Sequence, residues 1–183
     1  LMIKSALAIT IFSLLILPNV VLTDVVTERV EIFLIDSLDE PRHFCIDIRG
    51  YKLKARINRG LQAHTCYSYQ GEIAVDQAFD LNKITTSQFY LPSFDVCMEA
   101  KSAVASAGLG LKECNRGKLQ EFNWDVTGRI QPINKLELCL TAAKGKSKRG
   151  GGGSPVHLIR NLTLEPCSDL LKHYQIWSTR RAK

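Results

Sequence analysis

Phe44-Cys45-Ile46-Asp47-Ile48 is a short apolar stretch with a cysteine at its second position. Two later stretches, Val96-Cys97-Met98-Glu99 and Leu138-Cys139-Leu140-Thr141, share this layout. A second cysteine follows each of the three first cysteines, after 21, 17 and 28 residues. A unit that recurs along a chain is an internal repeat, and such a repeat determines the architecture. We therefore expect three equivalent modules.

Each second cysteine precedes a segment that ends in an aromatic residue. The three segments are Gln77-Ala78-Phe79, Phe122-Asn123-Trp124 and Gln175-Ile176-Trp177. Each aromatic occupies the same place in its unit, and large aromatic side chains are usually buried. We expect Phe79, Trp124 and Trp177 to meet near a common core.

The beginning of the chain has the layout of a secretory signal peptide over residues 1–23. Lys4 precedes an apolar stretch over residues 6–17, and a polar exit follows. A membrane anchor is the alternative, but a span needs about 20 apolar residues and Pro18 ends the run early. We expect a secreted protein, periplasmic if the host is a bacterium, with no membrane-spanning segment in the mature chain.

The even number of cysteines in an exported chain favours disulfides over free thiols. Six cysteines permit 15 connectivities, and only the repeat distinguishes among them, since equivalent units should be bridged equivalently. The expected pairs are Cys45–Cys66, Cys97–Cys114 and Cys139–Cys167.

Short alternating stretches separated by Gly and Asn predict an all-β barrel or sandwich. Residues 26–35 are predicted to dock as an N-terminal strand or to form a lead-in. Residues 98–107 are rich in Ala, yet the repeat places a strand at their start and a loop after it. Three units, each too small to bury its own apolar face, can close on one another.

The three units resemble the repeats of ricin B-chain type lectins, which run Cys-x-Asp, then a second cysteine, then Gln-x-Trp. Cys45-Ile46-Asp47 matches the first element, the stretch from Gln62 to Cys66 the second, and Asp76-Gln77-Ala78-Phe79 the third. The resemblance implies a β-trefoil of three disulfide-stapled repeats over residues 41–181, after a lead-in over residues 24–40. The repeats would cover about 41–92, 93–133 and 134–181.

The same resemblance implies a galactose- or N-acetylgalactosamine-type site in the first repeat, which makes carbohydrate the expected partner. Sugar binding needs a carboxylate, an amide and a flat ring. Asp47 would anchor the sugar, Gln62 and Asp76 would orient it, and Gln77 would provide a further amide. His64 would stack below it, with Tyr67 or Tyr69 as a substitute platform.

The second and third repeats depart from the pattern. At the aspartate position they carry Glu99 and Thr141, and at the stacking position Lys112 and Glu165. Neither of the latter two side chains has a ring. We therefore expect one sugar site rather than three.

Three alternatives stay open. His43-Phe44-Cys45 and His64-Thr65-Cys66 place His and Cys on one strand face, which suits zinc. Asp47 and Asp76 are a candidate carboxylate pair for glycoside hydrolysis. However, the chain has no nucleophile elbow, His-Glu-x-x-His motif or phosphate-binding loop, and we expect neither an enzyme nor a cofactor.

The net charge of +6 raises the third alternative. The basic loop over residues 144–149 would contact acidic glycans or lipid headgroups, with the trefoil as a scaffold. The neighbouring Gly150–Gly153 run predicts a flexible excursion there rather than a shaped groove. We therefore expect no nucleic-acid partner.

Overall fold

The computed structural model describes residues 27–181, and the predicted signal peptide lies outside this range. The strands are β1 (Arg29–Leu34), β2 (Phe44–Ile48), β3 (Leu61–Thr65), β4 (Phe79–Asp80), β5 (Tyr90–Leu91), β6 (Val96–Ala100), β7 (Leu109–Lys112), β8 (Phe122–Trp124), β9 (Ile130–Pro132), β10 (Leu138–Ala142), β11 (Lys148–Arg149), β12 (Leu158–Pro166) and β13 (Trp177–Arg180). Single helical turns form α1 (Leu81–Ile84) and α2 (Lys172–Gln175). Within residues 27–181, no helix has the length and apolar character that a bilayer crossing requires.

Three antiparallel hairpins carry the cysteines. They pair β2 with β3, β6 with β7, and β10 with β12. Disulfides join Cys45 to Cys66, Cys97 to Cys114 and Cys139 to Cys167, with Cα–Cα distances of 4.9, 5.1 and 5.0 Å. This is the pairing within each repeat that the sequence predicts. Each disulfide ties the first strand of its hairpin to the chain that leaves the second strand.

Each repeat contributes four strands, grouped as β1–β4, β5–β8 and β9–β13, with β11 as an additional short strand in the third repeat. β1 pairs with β13, β2 and β4, and so joins the last repeat to the first. Of the two alternatives for residues 26–35, a docked strand or a lead-in, the structure shows the docked strand, because Arg29–Leu34 is hydrogen-bonded to β2, β4 and β13. Each repeat begins one strand earlier than the boundaries at 41, 93 and 134 predicted.

The core lies between the three repeats and contains large aromatic residues from all of them. Phe79, Phe122 and Trp177 are fully buried, whereas Trp124 is only partly buried. The second-repeat equivalent is thus Phe122, and the prediction of Trp124 was wrong. Phe89 lies between the first two rings, with centroids 6.4 Å from Phe79 and 5.6 Å from Phe122.

Alternation explains why these hairpins form. In β2, Phe44, Ile46 and Ile48 point to one face and belong to the core, while Cys45 and Asp47 point to the other. Residues 98–107 begin in β6 and continue as turns, as the repeat predicts. Three four-strand repeats that close around one core form a β-trefoil, the fold that the sequence predicts.

Candidate functional site

Strand register brings the same three positions together in every repeat. The residue two after the first cysteine is Asp47, Glu99 or Thr141, and it faces Gln62, Gly110 or Thr163 across the hairpin. The residue that faces the cysteine itself is His64, Lys112 or Glu165. The predicted equivalence of these positions is therefore a property of the fold, and the three sets differ only in side-chain chemistry.

A buried glutamine occupies a common position beside all three hairpins: Gln77, Gln120 and Gln175 are each 0% exposed. The side-chain carbonyl of each accepts from the backbone N–H that follows the second cysteine, at 3.0, 2.9 and 3.0 Å. Its amide donates to the carbonyl that precedes this cysteine, at 3.1, 2.9 and 3.0 Å. These glutamines satisfy backbone groups that no ladder partner reaches.

These hydrogen bonds show that the Gln-x-aromatic motif of the second repeat was assigned to the wrong residues. Gln120-Glu121-Phe122 occupies the Gln-x-aromatic position in the second repeat, instead of Phe122-Asn123-Trp124. All three repeats therefore keep the motif, with Phe79, Phe122 and Trp177 as its aromatic residues. The Gln amide also reaches the residue two after the first cysteine, at 3.4 Å for Asp47, 3.0 Å for Glu99 and 2.9 Å for Thr141.

Asp47 lies below the surface, with 1% of its area exposed. Its Oδ2 accepts a hydrogen bond of 2.8 Å from the Gln62 amide, and its Oδ1 lies 3.4 Å from the Gln77 amide. Burial raises the pKa of the Asp47 carboxyl well above its usual range, and the nearby Asp76 raises it further. Asp47 is therefore placed to hold Gln62 in a fixed orientation.

Asp76 is fully buried beside the same hairpin. One of its carboxylate oxygens accepts from the backbone N–H of Lys52 at 2.5 Å. Burial also raises the pKa of this carboxyl. Asp76 thus anchors the turn after β2, and both Asp76 and Gln77 lie deeper in the fold than Gln62 and His64, which are themselves 6% and 5% exposed.

A cavity of about 660 Å³ opens over the first hairpin. Of the five predicted sugar-binding residues, Gln62 and His64 line it, whereas Asp47, Asp76 and Gln77 do not. The full lining is Arg49, Gly50, Tyr51, Arg59, Gln62, His64, Tyr67, Gln70, Gly150, Gly151, Gly152, Gly153, Ser154, Pro155, His157 and Ile159.

Aromatic rings form one wall of this cavity. The His64 and Tyr67 rings stack with centroids 5.2 Å apart and an interplanar angle of 27°. His157 stands edge-on to both, at 5.1 Å from each, and its Nε2 lies 2.9 Å from the Tyr69 hydroxyl. Tyr67 was predicted as a substitute platform. His157 was not predicted, because it belongs to the third repeat and no local pattern links it to β3.

The cavity lies between two repeats. β12 of the third repeat pairs with β3 of the first, with Ile159 opposite His64 and Asn161 opposite Gln62. The Gly150–Gly153 run lies on the chain between β11 and β12, and Gly150 N–H donates to the His157 carbonyl at 2.8 Å. The glycine run therefore lines a cavity, whereas none of residues 144–149, the basic loop before it, belongs to the lining.

The equivalent places in the other repeats are occupied by their own side chains. In the second repeat, Lys112 Nζ forms a salt bridge of 2.9 Å with Glu99. In the third, the Thr163 hydroxyl donates to Glu165 at 2.8 Å, and Thr141 donates to the Cys139 carbonyl. The first repeat therefore differs from the others in having an amide and aromatic side chains in the lining of a cavity.

The zinc alternative requires thiolates that the structure does not provide. Cys45 and Cys66 are joined at an S–S distance of 2.06 Å, and all six cysteines lie in disulfides. The His43 ring contacts the Leu34 carbonyl at 3.0 Å instead.

Sequence comparison finds no protein family whose model matches this chain and no curated protein that matches it. Among solved structures, the chain is similar to the β-trefoil lectin of the Vibrio vulnificus hemolysin/cytolysin, determined with N-acetyl-D-lactosamine bound. The TM-score is 0.51 at 14% sequence identity, and the match covers 85% of this chain and 96% of that chain. At this identity the likeness concerns the fold: the chain is a β-trefoil, like that lectin domain.

Proposed function

We propose that this protein binds carbohydrate at one site in its first repeat, and that its repeats are of the ricin B-chain type. The observation that carries the proposal is the cavity over the first hairpin, where an amide and aromatic rings meet. A sugar presents hydroxyls that donate and accept, and an apolar face of C–H groups. The bound N-acetyl-D-lactosamine of the similar Vibrio domain is consistent with a ligand of this class.

Gln62 is the polar anchor in this proposal. Its amide NH₂ donates to Asp47, so its carbonyl oxygen is the group available to accept from a sugar hydroxyl. Asp47 therefore acts through Gln62 as a positioning residue, instead of holding the sugar directly. Asp76 and Gln77 support the same hairpin from behind.

His64 and Tyr67 supply the ring surface. Burial lowers the pKa of His64 to about 4, so its imidazole is neutral near pH 7 and presents an uncharged face. Small sites of this kind bind single sugars with dissociation constants of about 1 mM. We propose a galactose-type sugar, since that is the ligand of the family that the repeats resemble.

Binding rather than hydrolysis fits the cavity. Glycoside hydrolysis needs two carboxyl groups that flank the bond. Among the described residues, none of the cavity lining is an Asp or a Glu, and both Asp47 and Asp76 are buried behind it. We also propose that the protein is exported, in keeping with its three disulfides.

The test is a titration of the protein with galactose, N-acetylgalactosamine and lactose, followed by ligand-observed NMR. We expect Gln62→Ala and His64→Ala to weaken binding about tenfold or more, because each removes a group from the cavity. Lys112→Ala is the matched control, since Lys112 holds the His64 position in the second repeat. Unchanged binding in both cavity variants, or an equal loss in Lys112→Ala, would contradict the proposal.

A further inference from the structure

We infer that the cavity over the first hairpin takes a negatively charged saccharide, one that carries a carboxylate or a sulfate, and that Arg49 and Arg59 recognise this charge. The inference rests on the proposed function and narrows its ligand class. Both arginines line the same cavity as Gln62, His64 and Tyr67. One ligand can therefore contact an amide, ring faces and a guanidinium together.

The charge around the cavity is one-sided. The lining contains two arginines, and no carboxylate among the residues described. Asp47 is the acidic side chain in the hairpin of β2 and β3 beneath the cavity, but it is buried and accepts a hydrogen bond from the Gln62 amide. An anion in the cavity would meet cationic groups without facing an acidic neighbour in the lining.

Several arginines elsewhere in the fold are neutralised by a carboxylate. Five are paired in this way, in the salt bridges Arg42–Glu40, Arg129–Asp169, Arg160–Asp39, Arg180–Glu31 and Arg181–Glu28. Within residues 27–181, neither Arg49 nor Arg59 forms a salt bridge. The Arg49 guanidinium instead contacts the neutral side chain of Asn161 at 3.1 Å, which holds it beside Gln62 on the adjacent strands. Its charge is thus oriented but not neutralised, and a guanidinium is suited to bidentate binding of carboxylate or sulfate oxygens.

The segment over residues 49–59 extends this positive surface beyond the cavity. It contains Arg49, Lys52, Lys54, Arg56 and Arg59 and no acidic residue, and of these Lys52 is paired with Glu72 at 3.3 Å. Its shape is fixed by backbone hydrogen bonds, from Arg56 N–H to the Arg49 carbonyl at 2.9 Å and from Arg49 N–H to the Gly60 carbonyl at 3.1 Å. The cations therefore lie on a closed loop with a defined geometry. A charged saccharide longer than one residue would continue along this loop.

The test compares three ligands with a common core: lactose, 3′-sialyllactose as the carboxylate, and 3′-O-sulfolactose as the sulfate. At physiological salt we expect at least one charged ligand to bind about tenfold or more tightly than lactose, since charge-assisted bonds add to the same sugar contacts. Arg49→Gln and Arg59→Gln should reduce this preference to about twofold or less. The preference is the ratio of the charged-ligand affinity to the lactose affinity within each variant, and whichever charged ligand is preferred identifies the anion.

Arg56→Gln is the matched control, because it removes an exposed arginine of the same loop that does not line the cavity. It should keep the preference. Equal affinity for all three ligands would overturn the inference and leave the proposed function standing, whereas binding of none would overturn the proposed function itself. An equal loss in Arg56→Gln would assign the effect to the general surface field and overturn the role of the cavity. Binding to phosphatidylserine vesicles without any preference among the sugars would mark a lipid surface instead, and would also overturn it.

Discussion

His64 is 5% exposed in the wall of the cavity, and burial lowers its pKa to about 4 from an ordinary value of 6.5. As the pH falls below 6.5, the unfolded chain takes up a proton at this residue, while the folded protein does so only near pH 4. The free energy of unfolding therefore decreases across this window, by about 3 kcal/mol for a shift of this size. Between pH 6.5 and 4, the free energy of unfolding of His64→Gln should therefore decrease by about 3 kcal/mol less than that of the wild type, as measured by urea unfolding.

The informative quantity is the difference between the wild type and His64→Gln in the pH dependence of the free energy of unfolding. The raised pKa values of Asp47 and Asp76 act in the opposite direction, because the folded protein holds those protons longer than the unfolded chain as the pH rises. Both terms are common to the wild type and the variant. His173→Gln, which removes a half-exposed histidine, should keep the decrease due to His64. Identical pH profiles for the wild type and His64→Gln would contradict the assignment.

For single residues, the sequence predicts which residue types form the site better than it predicts the positions along the chain that they occupy. Gln62 and His64 follow from the resemblance, and the structure places both at the cavity. Gln120 was missed because Trp124 was taken as the aromatic of the motif, and the hydrogen bonds around Cys114, which decide the register, are visible only in three dimensions. Arg49, Arg59 and His157 belong to no motif, since they enter the site through a loop and a neighbouring repeat.

Gly60 connects the segment over residues 49–59 to β3, and its conformation depends on the absence of a side chain. Its φ is +73°, and a Cβ at this position would lie 2.6 Å from the Leu109 carbonyl oxygen of β7. The Leu109 oxygen belongs to the backbone of β7, and the position of a Cβ is fixed by the backbone of residue 60, so the contact cannot be relieved without a backbone shift. We expect Gly60→Ala to lower the free energy of unfolding by about 3 kcal/mol, from backbone strain and this contact. Urea unfolding measures the loss.

Gly71→Ala separates the two contributions. Gly71 also has a positive φ, of +90°, but a Cβ there would meet nothing within 4 Å. Only the conformational cost applies, and we expect a loss of about 1 kcal/mol. Equal losses of stability in the two variants would show that the contact between residue 60 and the Leu109 carbonyl contributes nothing to the effect of Gly60→Ala.

Elements were predicted best where hydrophobic alternation and the cysteines agreed. The hairpin of β2 and β3 follows from its alternation and its disulfide. β1 was ambiguous because its place depends on β13, at the far end of the sequence. The place of the Gly150–Gly153 run was not predictable from its composition. A glycine-rich sequence indicates a flexible backbone, but the pairing of β11 with β12 places this run in the lining of the cavity.

The whole molecule depends on three covalent links of similar reach. The loop closed by Cys97 and Cys114 has a sequence separation of 17 residues, for which the chain-entropy model gives about 3 kcal/mol of stabilisation. The variant that carries both Cys97→Ala and Cys114→Ala should lose about that much stability in thermal or urea unfolding. It should keep sugar binding below its unfolding transition, because the cavity belongs to the first and third repeats.

The same double substitution at Cys45 and Cys66 is the counterpart. These cysteines fix the hairpin that carries Gln62 and His64, so their loss should weaken sugar binding as well as stability. Similar binding in the two double variants would contradict a site in the first repeat.

Threefold organisation was predictable from the sequence, because one bridged unit recurs. The asymmetry of the site was predictable in part, from Lys112 and Glu165 at positions where a ring is needed.

The pairing of β12 with β3 has a consequence for dissecting the molecule. A peptide that spans the first repeat alone would retain Gln62, His64 and Tyr67 but would lack His157 and the glycine-rich wall. The proposed site would therefore be incomplete in such a fragment even if it folded, because the cavity is a junction between two repeats.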